Sequence, residues 1–152
     1  LVNKEKKMSK SLGNFLSLNE ALKIYSPEVL RFYFLSAHYR SPLDFSEEIL
    51  KQSEAAVMRI NEFRNKLRQF EGKDLSDQEN SEEVKEAYRK IIEAMDDDFN
   101  TPESIGAFFE LIRQSNPKIE TKRVAMAELI KILNFFDLFG IVPEPIIYPS
   151  EV

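Results

Sequence analysis

At 152 residues the chain is about one domain long, enough to bury a core, and its 43% hydrophobic and 31% charged fractions exclude fibrous, mucin-like and wholly disordered classes. Zero Cys exclude disulfides, thiol catalysis and Cys-bound zinc, and a single His excludes a multi-histidine site, so any metal would have to sit on carboxylates. The net charge of −5 is uneven: residues 1–23 carry +3 and the rest −8, which directs an anion to the basic end and keeps any nucleic-acid contact local. No apolar run approaches the ~18 residues of a membrane span. The opening LVNKEKKMSK has charge but no apolar run after it, so no secretory leader is read, and the lack of Cys fits a cytoplasmic protein.

The first informative stretch is Lys7-Met8-Ser9-Lys10-Ser11-Leu12-Gly13-Asn14. Two lysines flanking two residues, with hydroxyls between and after them and a Gly where the chain can turn, can reach two points on a triphosphate. The competing reading is a solvated Lys-rich tail. The spacing does not suit a P-loop, whose Gly-rich loop ends in Lys followed by Ser or Thr.

After this loop the pattern predicts helices throughout, with only four Gly and apolar residues three and four apart. Ser17-Leu18-Asn19-Glu20 reads as a capping box opening a helix over about 18–25, with Leu16 placed to staple on Ala21. Ser26-Pro27-Glu28 starts a second helix, and Val29, Leu30, Phe32, Tyr33, Phe34, Leu35 and Ala37 make it the expected most buried element, stopped by Arg40-Ser41-Pro42. Ser46 opens a long helix with the stripe Ile49, Leu50, Ser53, Val57, Ile60, Phe63, Leu67, Phe70, roughly 24 residues or about 36 Å.

Past a polar loop at 72–80, Ser81 is the expected cap of a helix burying Val84, Ala87, Tyr88, Ile91, Ile92 and Met95. Thr101-Pro102-Glu103 starts the next, carrying Ile105, Phe108, Phe109 and Ile112, with Asn116-Pro117 as its expected end. The last helix runs over about 121–139 with Val124, Leu129, Ile130, Leu133, Phe136 and Phe139, and Gly140 is its left-handed stop. Three prolines make 141–152 an extended tail or linker. Phe32, Phe34, Phe63, Phe108, Phe109, Phe135, Phe136 and Phe139 read as core, not a cofactor pocket. Asp96, Asp97 and Asp98 read as acids favouring the following helix start rather than as a Mg²⁺ site, and they lack the alternation of a Ca²⁺ loop.

Lys7-Met8-Ser9-Lys10-Ser11 is the KMSKS signature of class I aminoacyl-tRNA synthetases. Together with Pro27-Glu28-Val29-Leu30-Arg31, Ser36-Ala37-His38-Tyr39-Arg40-Ser41-Pro42 and Asp97-Asp98-Phe99-Asn100-Thr101-Pro102, it makes the chain resemble the cysteinyl-tRNA synthetase family over residues 3–140. The resemblance implies an all-α piece: a KMSKS loop (1–15), a stem-contact region (16–45), an antiparallel DALR-type anticodon-stem-binding bundle (46–140) and the tail (141–152). It implies ATP, carried with Mg²⁺, cysteine and the cysteine tRNA as partners of the whole enzyme, acting as a monomer. Lys7 and Lys10 become the stabilisers of charge on departing pyrophosphate, and Ser9 and Ser11 shape the ATP-closing loop. The family's nucleotide fold, its HIGH-type motif and its zinc site are not in this sequence, and Leu1 opens it without Met, so the expectation is a piece of the synthetase, inactive alone, with zinc in the missing part. A related ligase joining cysteine to an amino-sugar, and a stand-alone helical RNA-binding or interaction module, are the alternatives.

Within this frame Tyr39 and Arg40 can touch a tRNA phosphate or stack on a base, while Arg40 can equally pair with Asp44. His38 reads as a structural hydrogen-bonder rather than a general base, with no carboxylate placed by the sequence to tune it.

Overall fold

A computed structural model describes residues 17–69, 82–119 and 126–141, and the backbone alone of 2–3 and 6–7. A two-rung antiparallel ladder pairs β1 (Val2–Asn3) with β2 (Lys6–Lys7), Val2 opposite Lys7 and Asn3 opposite Lys6. The rest is helical: α1 (Leu18–Ala21), α2 (Pro27–Leu35), α3 (Glu47–Arg68), α4 (Glu82–Asp96), α5 (Thr101–Ile119) and α6 (Met126–Asp137). Among the described residues no helix is long and apolar enough to cross a membrane.

Local chemistry sets the helix starts. At α1 the Ser17 hydroxyl accepts from the Glu20 N–H while the Glu20 carboxylate takes the Ser17 N–H at 2.9 Å, the reciprocal box expected. That bonding with Ser17 holds the Glu20 carboxyl below its ordinary range. Ser26 and Ser46 cap α2 and α3 in the same way, each accepting the N–H three residues on. The α1 helix is shorter than its pattern suggested, ending at Ala21 rather than near 25. Lys23 and Ile24 bond back three residues instead of four, and Ser26 before Pro27 takes an extended conformation, which closes the helix early and leaves Ile24 68% exposed.

The α4 and α5 pair and the α2 and α3 pair form the main helix contacts, and α6 closes the bundle against α3 and α4. One large core gathers Val29 and Phe32 of α2, Val57, Ile60, Phe63 and Leu67 of α3, Val84 and Ile91 of α4, Ile105 and Phe108 of α5, and Leu129 and Phe136 of α6. At its centre the rings of Phe108 and Phe136 stack at 4.2 Å, with Phe63 edge-on to Phe108. A second, small core joins Ala21, Leu30, Tyr33 and Leu50. There the Tyr33 hydroxyl donates to the Asp44 carbonyl, and burial pushes its pKa up to about 12.

Three packing expectations need correction. Phe34 is 48% exposed, so α2 buries four residues rather than nearly every face. Tyr88 points outward from the α4 stripe, which is Val84, Ala87, Ile91 and Ala94. The α5 helix does not end at Asn116-Pro117; it continues through Pro117 to the buried Ile119, because a proline in the last turn forfeits a single backbone bond while Ser115 and Ile119 remain packed. Gly140 is the stop expected, at φ 63, and the Arg31 side chain crosses it, leaving only 3.1 Å to where a Cβ would stand. The expectations for Leu16, Phe70, Ser81 and Val124 lie outside the described residues.

Phe108→Ala is expected to destabilise the chain by about 3–5 kcal/mol and Phe34→Ala by less than about 1 kcal/mol, measured by urea unfolding. Similar losses at both positions would contradict the core as described.

Candidate functional site

Of the residues singled out by the motif, the backbone of Lys7 lies on β2 opposite Val2. Ser9, Lys10 and Ser11 lie outside the described residues. As a donor set, two ammonium groups and two hydroxyls within five residues fit an anion such as a triphosphate. A zinc ion does not fit: the chain has no Cys and one His, and among the described residues no three His, Cys, Asp or Glu side chains gather in a group able to hold a metal.

Tyr39 and Arg40 are brought together with a residue of the far half of the chain. The turn between α4 and α5 holds Asp98 and Phe99 at φ 55 and φ 54, the left-handed region that non-glycine residues seldom adopt. It is tied by the Asn100 N–H donating to the Ala94 carbonyl at 2.9 Å and the Phe99 N–H to that of Met95 at 3.2 Å. So placed, Asp98 accepts the Tyr39 hydroxyl at 2.6 Å on one carboxylate oxygen and receives the Arg40 guanidinium at 2.9 Å on the other. His38 Nε2 stands 3.8 Å from the second oxygen, and its ring stacks on Tyr39 at 4.8 Å. The His38 Nδ1 accepts the Arg40 N–H, which puts the neutral ring's proton on Nε2, toward Asp98. Arg40 also lies 5.3 Å from the Tyr39 ring centre, over its face.

This cluster corrects several expectations. Arg40 pairs with Asp98 and not with Asp44, whose carbonyl serves Tyr33. His38 does have a facing carboxylate, one the sequence could not place because it is 60 residues away along the chain. Asp98 is not an acid spent on the next helix; α5 is capped by Asn100, whose side-chain oxygen accepts the Glu103 N–H while its amide donates to the Glu103 carboxylate. Thr101, expected as a cap, sends its hydroxyl to the Leu35 carbonyl and so ties α5 to the end of α2. Beside the cluster, Phe99 is 66% exposed in a turn where glycine would be less strained, and no signal in the sequence announces either feature.

Elsewhere the surface charges neutralise each other along helices. Arg89 bridges Glu86 and Glu93, and Arg113 with Gln114 clamps Glu110, holding that carboxyl down to about 2.

Asp98 also accounts for Tyr39: the hydrogen bond to the carboxylate, helped by desolvation and the nearby negative charge, raises the tyrosine above its ordinary pKa of 10.0. Because the folded value exceeds the unfolded one, Tyr39 supports the fold fully below about pH 10 and that support is lost as pH climbs through its own raised value. In Asp98→Asn the Tyr39 ring carbon signal in an NMR titration is expected to turn at lower pH than in the unmodified chain. An unmoved midpoint would mean that Asp98 does not govern Tyr39.

Family models match two parts of the chain. Residues 1–55 match the tRNA synthetases class I (C) catalytic domain, and residues 90–142 match the DALR domain. The chain is 40% identical over 91% of its length to a cysteine-tRNA ligase of Shouchella clausii, covering 30% of that protein. It is 46% identical over 76% of its length to one of Geobacter metallireducens, covering 25% of it, and 41% identical over 89% to one of Thermococcus onnurineus, covering 31%. The chain therefore spans about three-tenths of the length of the relatives it matches.

Proposed function

Because the chain belongs to the cysteine-tRNA ligase family, we propose that it is the part of such a ligase that carries the KMSKS loop and a tRNA-binding helical bundle, in an enzyme that activates cysteine with ATP and transfers it to its tRNA. The observation that carries this reading is the order of parts on one chain: the Lys7–Ser11 motif inside the stretch matching the class I catalytic domain, followed by a bundle whose second half matches the DALR domain. Residues 1–15 act as the loop segment, 16–45 as the stem-contact region, 46–140 as the tRNA-binding bundle and 141–152 as a tail or linker. The location we assign is the cytoplasm.

In this mechanism ATP, with its Mg²⁺, is the substrate attacked at the α-phosphate by the cysteine carboxylate, so the bond to pyrophosphate breaks and negative charge grows on the leaving oxygens. The ammonium groups of Lys7 and Lys10 meet that charge, and Ser9 and Ser11 donate to neighbouring oxygens and shape the loop. No side chain here becomes a nucleophile; the contribution is fixed positive charge held where it is needed. An interaction made mainly in the transition state lowers kcat when removed, more than it weakens substrate binding. In the stem-contact region Tyr39 and Arg40 are the candidate RNA contacts. Asp98 holds both, so an RNA phosphate taking Arg40 has to compete with that carboxylate.

Two outcomes test this. The 152-residue chain alone is expected to support no cysteine-dependent exchange between ATP and pyrophosphate, because two lysines and two hydroxyls can stabilise a leaving group but supply no pocket for cysteine; exchange above a no-protein control would overturn the division of labour. In a whole ligase carrying this segment, Lys10→Ala is expected to slow adenylate formation by about 10²–10³, and Lys4→Ala or Lys6→Ala by less than about tenfold, read by rapid quench. Equal small losses at all three lysines would mean a diffuse basic patch with no role for the motif.

A further inference from the structure

Two open grooves run along α5, and they differ in charge. The larger, about 730 Å³ between α4 and α5, is lined by Glu93, Asp97, Glu103 and Glu110 against Arg89 and Lys90, with Arg89 already spent on Glu86 and Glu93. An anionic chain is repelled there. The smaller, about 460 Å³ between α3 and α5, is lined by Arg59, Glu62 and Lys66 from α3 and by Glu110, Arg113 and Asn116 from α5, Glu110 being shared by both grooves.

Of the cations of the second groove Arg113 is held by Glu110, but Arg59 and Lys66 are not neutralised as those on α4 are. Arg59 has no ion pair among the described residues, and the Lys66 ammonium donates to the neutral Asn116 amide oxygen at 2.9 Å. Glu62 stands between them in sequence and pairs with neither among the described residues. The groove's walls carry Arg59, Lys66 and Arg113 against Glu62 and Glu110, a net +1 in a chain of −5. Arg59 and Lys66 are seven residues apart, two helical turns or about 10 Å along α3, far enough to meet different phosphates of one strand. At the lip of the groove Gly106 leaves the α5 backbone bare: a Cβ there would meet nothing within 4 Å. Nothing inside the fold requires that glycine, which weakens the helix relative to Ala and leaves room for a chain to lie close.

We propose that the α3/α5 groove is a phosphate-backbone track for RNA, with Arg59 and Lys66 as its unneutralised cations and Asn116 as the side chain that aims Lys66. This rests on the tRNA reading of the bundle and adds to it a site away from Tyr39 and Arg40. Contacts of this kind hold RNA by charge without reading its sequence. They give up counterions on binding, so affinity falls with salt in proportion to the phosphates neutralised.

The test measures binding of the 152-residue chain to a labelled cysteine tRNA transcript and to a non-cognate tRNA between about 50 and 200 mM salt. Arg59→Gln and Lys66→Gln are each expected to lower the slope of log K against log salt by about 0.7–0.9, with equal losses for both tRNAs. Arg59→Lys, which keeps the charge, is expected to retain the slope. Lys131→Gln, which removes an equally exposed cation paired with Glu128 on α6, is expected to leave it unchanged. Both groove side chains are exposed, so melting temperatures should not move. Slopes unchanged in the two Gln variants while the unmodified chain still binds would overturn the groove and leave the bundle's tRNA role standing. So would an equal drop for Lys131→Gln. No binding of either tRNA by the unmodified chain at the lowest salt would overturn both.

Discussion

Helix α2 has to serve two cores at once. Val29 and Phe32 enter the large core of the bundle, while Leu30 and Tyr33, on the adjoining face of the same nine-residue helix, enter the small one with Ala21 and Leu50. A helix whose apolar residues face two ways cannot rotate to improve one contact without losing the other. The consequence is that the region after the KMSKS stretch is fixed relative to the bundle by packing, and the polar ties are then short-range fittings. Arg31 donates to the Gly140 carbonyl, Thr101 to that of Leu35, and Asp98 gathers Tyr39 and Arg40, so the middle and the C-terminal end of α2 and the turn after it are pinned to the far half of the chain.

That arrangement explains how much could be read beforehand. The caps of α1, α2 and α3 and the KMSKS stretch are legible because each is made by residues within a few positions of one another, where spacing is geometry. The α3 stripe is legible for the same reason, since one period decides one face. Where a helix is apolar on several faces the period loses its meaning: Phe34 and Tyr88 carry the same hydrophobic label as Phe32 and Ala87, and only the position of neighbouring helices separates them. Pro117 misled because the rule against proline concerns a helix interior, whereas here the last turn is held by Ile119. The Asp98 cluster was out of reach altogether, as nothing local in His38-Tyr39-Arg40 says which carboxylate will arrive from the α4–α5 turn.

The acidic balance of the chain bears on how the proposed contact with RNA would be made. A uniformly basic surface would hold any polyanion; at −5 the chain as a whole repels one, so attraction must come from cations left unneutralised at chosen places. Most of the exposed arginines and lysines fail that condition. Arg89, Arg113, Lys51, Lys85 and Lys131 each sit three or four residues from a glutamate on their own helix and bind it. Exchanging such a partner for a phosphate replaces one ion pair by another, with little net gain. Arg59 and Lys66 satisfy the condition, and they lie along the α3 wall of one groove.

The two ends of the proposed activity therefore ask opposite things of positive charge. At Lys7 and Lys10 the ammonium groups are useful when they meet charge that exists only while the bond to pyrophosphate is breaking, so holding the ground state tightly would lower KM without raising kcat. In the bundle the phosphates are present throughout, and a cation there contributes to holding RNA from the moment of encounter. The first demand suits a short stretch of consecutive residues such as the Lys7–Ser11 motif; the second suits side chains on a long helix whose own packing fixes their spacing. α3 meets the second demand because Ile60, Phe63 and Leu67 bury one face in the core and thereby leave Arg59 and Lys66 facing outward, two turns apart, at a separation fixed by the helix.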